Sequence, residues 1–516
     1  MSVISKPVIN APISSQPPIV NVQPAKVLFV GQMTTGTATP NTLVSNIQND
    51  GSEDTLFGSH SILAEMVRAF KLYNKVTQLD CIPLEDDGGA VAAAGNITFT
   101  GPATETGSLT ITIGSSINYK KTLDIINGDS ATTIAGNLVN LFNSDTHAPV
   151  GLSNIAGSVD IEAVNFGTVG NGIGIKIEGT VAGVTYALTG MSGGTTDPSM
   201  AGVFLLAGAV RYQHVSMPYE YGVINLQNFL DPRFNVNNAI LDGVGLLTHT
   251  ADLGGLLVIG DALNDKNIVI FGNKIINTTY YVGSACFELD YNASAQIVAL
   301  RALRLTPDAN IANYVVTSSS NDQIGGPGIA ALPYHNTPLV YLPLIDANNE
   351  FFSDQMDLLN ASGISVFGNN PPRNSIILGD VVTTYKTTPS GVPDPNFKYL
   401  NQLDEAVTAR EIFFNRAKQR FAQTRLTTGD IPAGRSFVNV ASIRSFFIQT
   451  YSDLAGTEFS ITVLGEDALN YFKNNLVVQI ISVPLGQVFV SMKLPLVSQL
   501  REIDEPIVIV FDTSGG

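Results

Sequence analysis

Three neighbouring stretches decide the fold: "KVLFVG" (Lys26–Gly31), "SILAEMVRAFKLYN" (Ser61–Asn74) and "TQLDCIPL" (Thr77–Leu84). The first is a run of apolar residues closed by glycine, the pattern of a strand buried on both faces. In the second, Leu63, Met66, Val67, Phe70 and Asn74 recur at helical spacing, with Glu65, Arg68 and Lys71 on the opposite side. The third is another short apolar run. Strand, helix and strand in that order predict a β-α-β unit and a parallel sheet.

Working outward, the composition changes after "EDDGGAVAAAG". From about Gly95 to Gly194 short alternating segments follow one another: "NITFTG", "GSLTITIG", "SVDIEAVN", "GIGIKIEG" and "GVTYALTG". They predict a β-rich domain over 92–196, inserted into an α/β domain made of 25–91 and 197–352. One helix interrupts the insert, "DSATTIAGNLVNLFNS", capped by Asp129 or Ser130. Asp197-Pro198 reads as a helix start that resumes the α/β pattern. "YNASAQIVALRALRL" is a helix, "TPLVYLPLI" is strand-rich, and "SIILGDVVTTY" (Ser375–Tyr385) is a strong strand.

A C-terminal α/β domain is expected over 353–504. It holds a long helix, "QLDEAVTAREIFFNRAKQRFAQTRL", and a hairpin from "NLVVQIIS" and "QVFVSMKLPL". The long helix has an apolar stripe of Leu403, Val407, Phe414, Ala417 and Phe421, and its arginines and lysine outnumber its acids.

Both ends of the sequence raise a question of partnership. Residues 1–24 carry Pro7, Pro12, Pro17, Pro18 and Pro24, which exclude helix and central strand and leave an extended arm. Val8, Ile9, Ile19, Val20 and Val22 make it apolar without periodicity, so it is either a disordered leader or an arm that docks. Residues 505–516 carry the run Ile507, Val508, Ile509, Val510 and Phe511, β-branched and apolar on both faces. Such a strand belongs inside a sheet, its own or another's.

The 516 residues suit roughly three domains. With 27 basic against 44 acidic residues the net charge is −17, which disfavours nucleic-acid phosphates and anionic membranes. No run approaches the ~20 apolar residues of a membrane helix, and the N-terminus lacks a signal-peptide core, so folding in the cytoplasm is expected. Charged residues are only 14% of the chain, leaving a neutral surface of the kind buried between copies. Cys81 and Cys286 form no CxxC pair and read as buried free thiols.

Motifs of catalysis are few. None of the five histidines sits at metal-ligand spacing, and no P-loop occurs, so no cofactor or metal is expected. "GMSGG" (Gly190–Gly194) fits the GxSxG nucleophile elbow with Ser192, but an elbow needs its helix to begin at the serine. A glycine-rich linker is the competing reading, and a serine hydrolase the minor one. The acidic "EDD" at Glu85–Asp87 reads as a solvated linker rather than a cation site.

Taken together, "KVLFVGQ", "FGSHSILAEMVRAF", "IPLEDD", "GNITFTG", "GSLTITIG", "HVSMPYEY", "GISVFGNNPPRNSIILGDVVTTYKTTPSGVPDPNFKYLN" and "FKNNLVVQ" resemble, in order and spacing, the tail sheath proteins of contractile bacteriophages, particularly the Mu-like branch. The resemblance runs over nearly the whole chain; His60 departs from the pattern, standing where glycine is usual.

The resemblance implies a structural protein and no enzyme. Its subunits would stack as hexameric rings around a tail tube, with baseplate and tail terminator as further partners, and contract to drive the tube through the host envelope. The location implied is the virion tail, assembled in the host cytoplasm. A headless particle, such as an R-type bacteriocin or a type VI-like sheath, is the alternative. The resemblance also implies a C-terminal sheet completed by arm strands of neighbours, which makes 505–516 and 1–24 donor candidates. A helix of that domain touches the tube in related sheaths. Arg416 and Arg420, one turn apart, are the residues chosen here for that contact, against an ordinary solvated face.

Overall fold

The computed structural model describes residues 25–47, 49–234, 240–305, 334–370, 375–431, 436–456, 465–482 and 486–496. Both arms, 1–24 and 505–516, lie outside the described residues.

The β-α-β unit forms as its pattern requires. β1 (Lys26–Gln32) and β2 (Gln78–Leu84) pair in parallel, Lys26 opposite Gln78 and Gln32 opposite Leu84. Between them runs helix Ile62–Lys71, whose N-cap Ser61 accepts a hydrogen bond from the Ala64 N–H. Gly31 is needed where this helix crosses the strand, since a Cβ there would stand 3.3 Å from Leu63. The charged side of the helix does not face solvent. Lys71 pairs with Glu53 at 2.7 Å and Arg68 with Glu65 at 2.7 Å, and Glu65 and Lys71 are buried. Helix Ser52–Phe57 and the inserted segment cover that side and supply partners for its charges.

The insert contributes β3 (Ala94–Thr100), β4 (Gly107–Ile113), β5 (Lys120–Ile125), β6 (Val150–Ile155), β7 (Ser158–Ala163), β8 (Ile175–Glu178) and β9 (Thr185–Ser192). Helix Ala131–Asn143 lies among them, capped by Ser130. β6, β7, β3 and β9 form a four-stranded antiparallel sheet.

The remaining insert strands continue the host sheet. After the insert come β10 (His214–Ser216), β11 (Val244–Ala251), β12 (Ile268–Asn277), β13 (Tyr281–Ser284), β14 (Pro338–Leu339), β15 (Ile364–Asn370) and β16 (Ser375–Leu378). The parallel order is β2-β1-β10-β11-β12-β15. At β12 the sheet forks. Its first half, Ile270–Gly272, pairs β15, while Ile275–Asn277 pairs β13, which leads on antiparallel to β8, β4 and β5. A ten-residue strand is long enough to serve both branches.

Three expectations are corrected. Asp197-Pro198 starts no α-helix: the next element is a short 3-10 turn, Val203–Ala207. The Asp197 carboxylate instead accepts from Thr168 N–H (2.7 Å) and Thr168 Oγ1 (2.5 Å). "GGLLVIG" lies in helix Leu253–Ala262, capped by Asp252. "TPLVYLPLI" yields only the two residues of β14, and the strand at Ser375 stops at Leu378, with Thr383 and Thr384 bonded to loop and strand-end carbonyls instead.

The described apolar interior is divided in two. One core runs from Val27 to Leu403 and unites host sheet and insert; the other runs from Ala409 to Val478. The break between them falls inside helix Leu400–Phe421. In the second core this helix meets helices Val440–Gly456 and Glu466–Asn475, with Tyr451 stacked on Phe472 at 4.5 Å. β17 (Arg425–Leu426) and β18 (Phe437–Val438) form a short parallel pair; β19 (Val477–Ser482) and β20 (Gln487–Ser491) form the expected hairpin.

Candidate functional site

The serine motif does not form a nucleophile elbow. Ser192 ends β9 in an exposed position, Gly193 follows at φ +80°, and no helix begins there. Every histidine ring is placed elsewhere. His60 Nδ1 is 2.9 Å from Ala148 O, His147 Nε2 3.1 Å from Asp54, and His249 and His335 stand beside Glu220 and Asp380. His214 is buried and takes a hydrogen bond from Arg301 Nη1 at 2.8 Å. Burial first, then the charges of Arg301 and Arg211, push its pKa well below the usual range, so the ring is neutral. Among the described residues no group of acids, histidines and cysteines is arranged to hold a metal ion.

The acidic "EDD" is a structural knot in part. Asp86 accepts from Gln32 Nε2 (2.5 Å), Asn165 Nδ2 (3.1 Å) and the Phe166 N–H (3.1 Å), tying the end of β1 to the insert.

The strongest electrostatic feature is the seat of the long helix Leu400–Phe421. Its acids, read from sequence as a minority on a basic helix, are Asp404, Glu405 and Glu411, and all three are buried. Arg301, from helix Asp290–Arg304, donates to Asp404 at 2.6 Å, and Tyr334 donates to the same carboxylate at 2.6 Å. Seven residues further on, Glu411 accepts from Arg211 at 2.6 Å. Arg211 also reaches Asp242 (3.2 Å), and Arg410 pairs with that same Asp242 (2.9 Å). Two helical turns thus present two acids to one wall of arginines. Burial, followed by the charge of Asp404, pushes Glu405 up to about 8 against a hydrogen bond from Asn401, so Glu405 is protonated at pH 7.

Beyond this seat the helix enters the second core, with Ile412 and Phe413 buried, two residues absent from the expected stripe. The chosen pair divides here. Arg416 is half-buried and bonded to Asp453 at 2.8 Å, while Arg420 is exposed beside exposed Lys418.

The hairpin closes this region. Among the described strands β19 and β20 pair only with each other. Their exposure alternates, and Ile481 (65%) and Phe489 (48%) stand out to solvent. The terminal residues expected to enter this sheet, Ile507–Phe511, lie outside the described residues, as do Val8, Ile9, Ile19, Val20 and Val22.

Comparison with known proteins bears on this arrangement. A Mu-like prophage FluMu tail sheath protein of Haemophilus influenzae is 31% identical over 201 residues. Over those residues the chain is homologous to a Mu-like tail sheath protein. The match spans 38% of this chain and 40% of the sheath relative's own length. No family model matches the chain. Among solved structures, a sheath tail protein of Listeria innocua aligns over 92% of this chain and 95% of its own at 13% identity, with a TM-score of 0.42. The contracted helical sheath of the anti-feeding prophage aligns over 98% and 99% at 10% identity (TM-score 0.45). The contracted PVC sheath of an extracellular contractile injection system aligns over 98% of each chain at 9% identity (TM-score 0.47).

The arginine wall was not found by sequence reasoning. Arg211, Asp242 and Arg301 are scattered over ninety residues, and only the fold brings them to the long helix. One signal was present: Asp404 and Glu411 share a helical face with Leu403 and Leu400, an acid pair on an apolar stripe.

Proposed function

We propose that this chain is the subunit of a contractile sheath, of a phage tail or of a headless injection particle. It would polymerise as hexameric rings around a tail tube, between baseplate and terminator, and contract to drive the tube through an envelope. The observation that carries this reading is the 31% identity to a Mu-like tail sheath protein. The hairpin supports it from the side of physics. A two-stranded ribbon with apolar side chains on its exposed face is marginal alone, and further strands would complete it.

The donors in this proposal are residues 505–516 and 1–24 of neighbouring copies, added by β-augmentation. A donated Ile507–Phe511 segment would form ~6 backbone hydrogen bonds, each a net ~0.5–1.5 kcal/mol. Burying Ile507, Ile509 and Phe511 would contribute about 1.5–3 kcal/mol apiece. Ordering the arm costs ~1–2 kcal/mol per residue, which offsets much of that gain. Repeated heterologous contacts of this kind build open helical assemblies. The tube contact is assigned to the exposed end of the long helix at Arg420, with Arg416 braced behind it by Asp453.

Electron microscopy of the purified chain beside a version ending before Glu505 tests this. Striated hollow tubes from the full chain and small oligomers from the truncation are expected. Tubes from both would remove the terminal strand from the mechanism. Monomers from both, even with tube and baseplate proteins supplied, would overturn the sheath reading.

A further inference from the structure

The sheath reading gives the inserted segment no task, yet the junction between insert and body forms a half-open cleft of about 680 Å³. That volume lies in the range of small-ligand sites, roughly 300–1,000 Å³. Its floor is one cross-strand row built by the sheet register. Lys120 on β5 lies opposite Thr112 on β4, Thr112 opposite Lys176 on β8, and Lys176 opposite Tyr281 on β13. On β8 the alternation is strict: Ile175 and Ile177 are buried, so Lys176 and Glu178 project from the other face. Glu178 holds both lysines, Lys176 at 2.9 Å and Lys120 at 3.7 Å. Asp346 stands on the body side of the cavity.

Two tyrosines form the walls. Tyr186 comes from β9 and Tyr280 from the turn before β13. Tyr280 is 50% exposed, and its backbone accepts a hydrogen bond from the Ile177 N–H at 2.9 Å. An exposed aromatic face at a strand end is a stacking surface.

The charges narrow the ligand class. Lys120 and Lys176 are balanced by Glu178 and Asp346, so neither a phosphate nor a polycation gains from net charge here. What the lining offers is alternating donors and acceptors around an aromatic face, which suits vicinal hydroxyls on a ring with an apolar C–H side. We infer that the cleft between the inserted β segment and the body binds a neutral saccharide, stacked on Tyr280 and hydrogen-bonded by Lys120, Lys176, Glu178 and Asp346.

The test is calorimetry and saturation-transfer NMR of the full-length chain with four probes: glucose, mannose, galactose and N-acetylglucosamine trisaccharides. At least one is expected to bind with Kd on the order of 1 mM. Tyr280→Ala is expected to weaken that binding roughly tenfold with an unchanged unfolding midpoint, because the residue is half-exposed. Asp346→Asn should weaken it as well, and Tyr280→Phe should retain it. Failure of all four probes to bind overturns the inference, and so does binding that Tyr280→Ala leaves untouched. Neither result depends on whether the chain forms tubes.

Discussion

The two cores of this molecule treat their sheet edges in opposite ways. At the outer edge of β2, residues 41–47 supply hydrogen bonds to Pro83 O, Leu79 O and both backbone groups of Cys81, each at 2.8 Å. At the outer edge of β6, the Asn143 side chain both donates to Leu152 O and accepts from Leu152 N–H. The β5 edge carries Lys120, Lys121 and Asp124. These are devices that keep an edge from recruiting another strand. In the second core, β19 and β20 have no such cover among the described residues, and Val477, Ile481 and Phe489 are exposed. Among the described residues, then, the larger body covers its sheet edges, whereas β19 and β20 pair only with each other.

The sharpest way to break the comparison is to cut the joint between the two cores. Arg301→Ala leaves Asp404 buried with its cation gone. Removing one partner of a buried pair costs about 3–5 kcal/mol. The side chains are 5% and 1% exposed, so solvent cannot replace the arginine. Denaturant unfolding should then show two transitions, the second core melting first. A single transition at the parent midpoint would mean that the seat does not couple the cores.

A second effect belongs to the body alone. Glu288 is buried beside Glu65, with Ser115 and Asn292 donating to it and Arg68 bonded to Glu65. Burial is the main cause that raises its pKa to about 7; hydrogen bonds from Ser115, Asn292 and the Leu289 N–H oppose it, and the charge of Glu65 adds to it. Because the folded value lies above the unfolded one, its protonated form favours the fold. Stability is greatest below about pH 4.5 and falls as pH rises toward 7, by roughly 3 kcal/mol for this group. Asp290, raised to about 6 chiefly by burial, acts in the same direction, so Glu288→Gln should flatten the slope between pH 4.5 and 7 without abolishing it. An unchanged slope would place the titration elsewhere.

How much of this was legible in sequence follows from the range of each interaction. The β-α-β unit was readable because one helix face and two apolar runs specify it locally; its N-cap, Ser61, was identified only in the structure. Ser61→Ala should cost about 1 kcal/mol in thermal unfolding, the usual worth of an N-cap; no shift in midpoint would mean that burial alone sets the helix end. The hairpin and the long helix were readable for the same local reason. The fork at β12 was not: its second half meets β13, the next strand in sequence, but its first half pairs Ile270 with the distant Ile364 of β15, and β13 pairs onward from Tyr281 to Lys176 of β8. The wall of arginines on Asp404 and Glu411 was equally silent, because an arginine's sequence neighbours do not say which distant carboxylate it meets. Glu65 and Lys71 looked like an uncovered side because the local pattern implies neither the insert, which meets Glu65, nor helix Ser52–Phe57, which meets Lys71.

The smallest expected change in the isolated chain is the one that bears most directly on the ribbon. Phe489 lies on β20 opposite Gln479 and is 48% exposed. Truncating it to alanine removes little packing within the chain, so chemical unfolding of the monomer should move by less than ~0.5 kcal/mol. In an assembly that extends the ribbon, the same ring would be covered on its open side, and its loss would cost about 1.5–3 kcal/mol at every copy. Sedimentation should therefore separate the two quantities: Phe489→Ala monomers as stable as the parent, yet polymerising only at higher protein concentration. Equal loss in both measurements would make Phe489 an ordinary core residue of its own hairpin. No loss in either would mean that the open ribbon is not where copies of the chain meet.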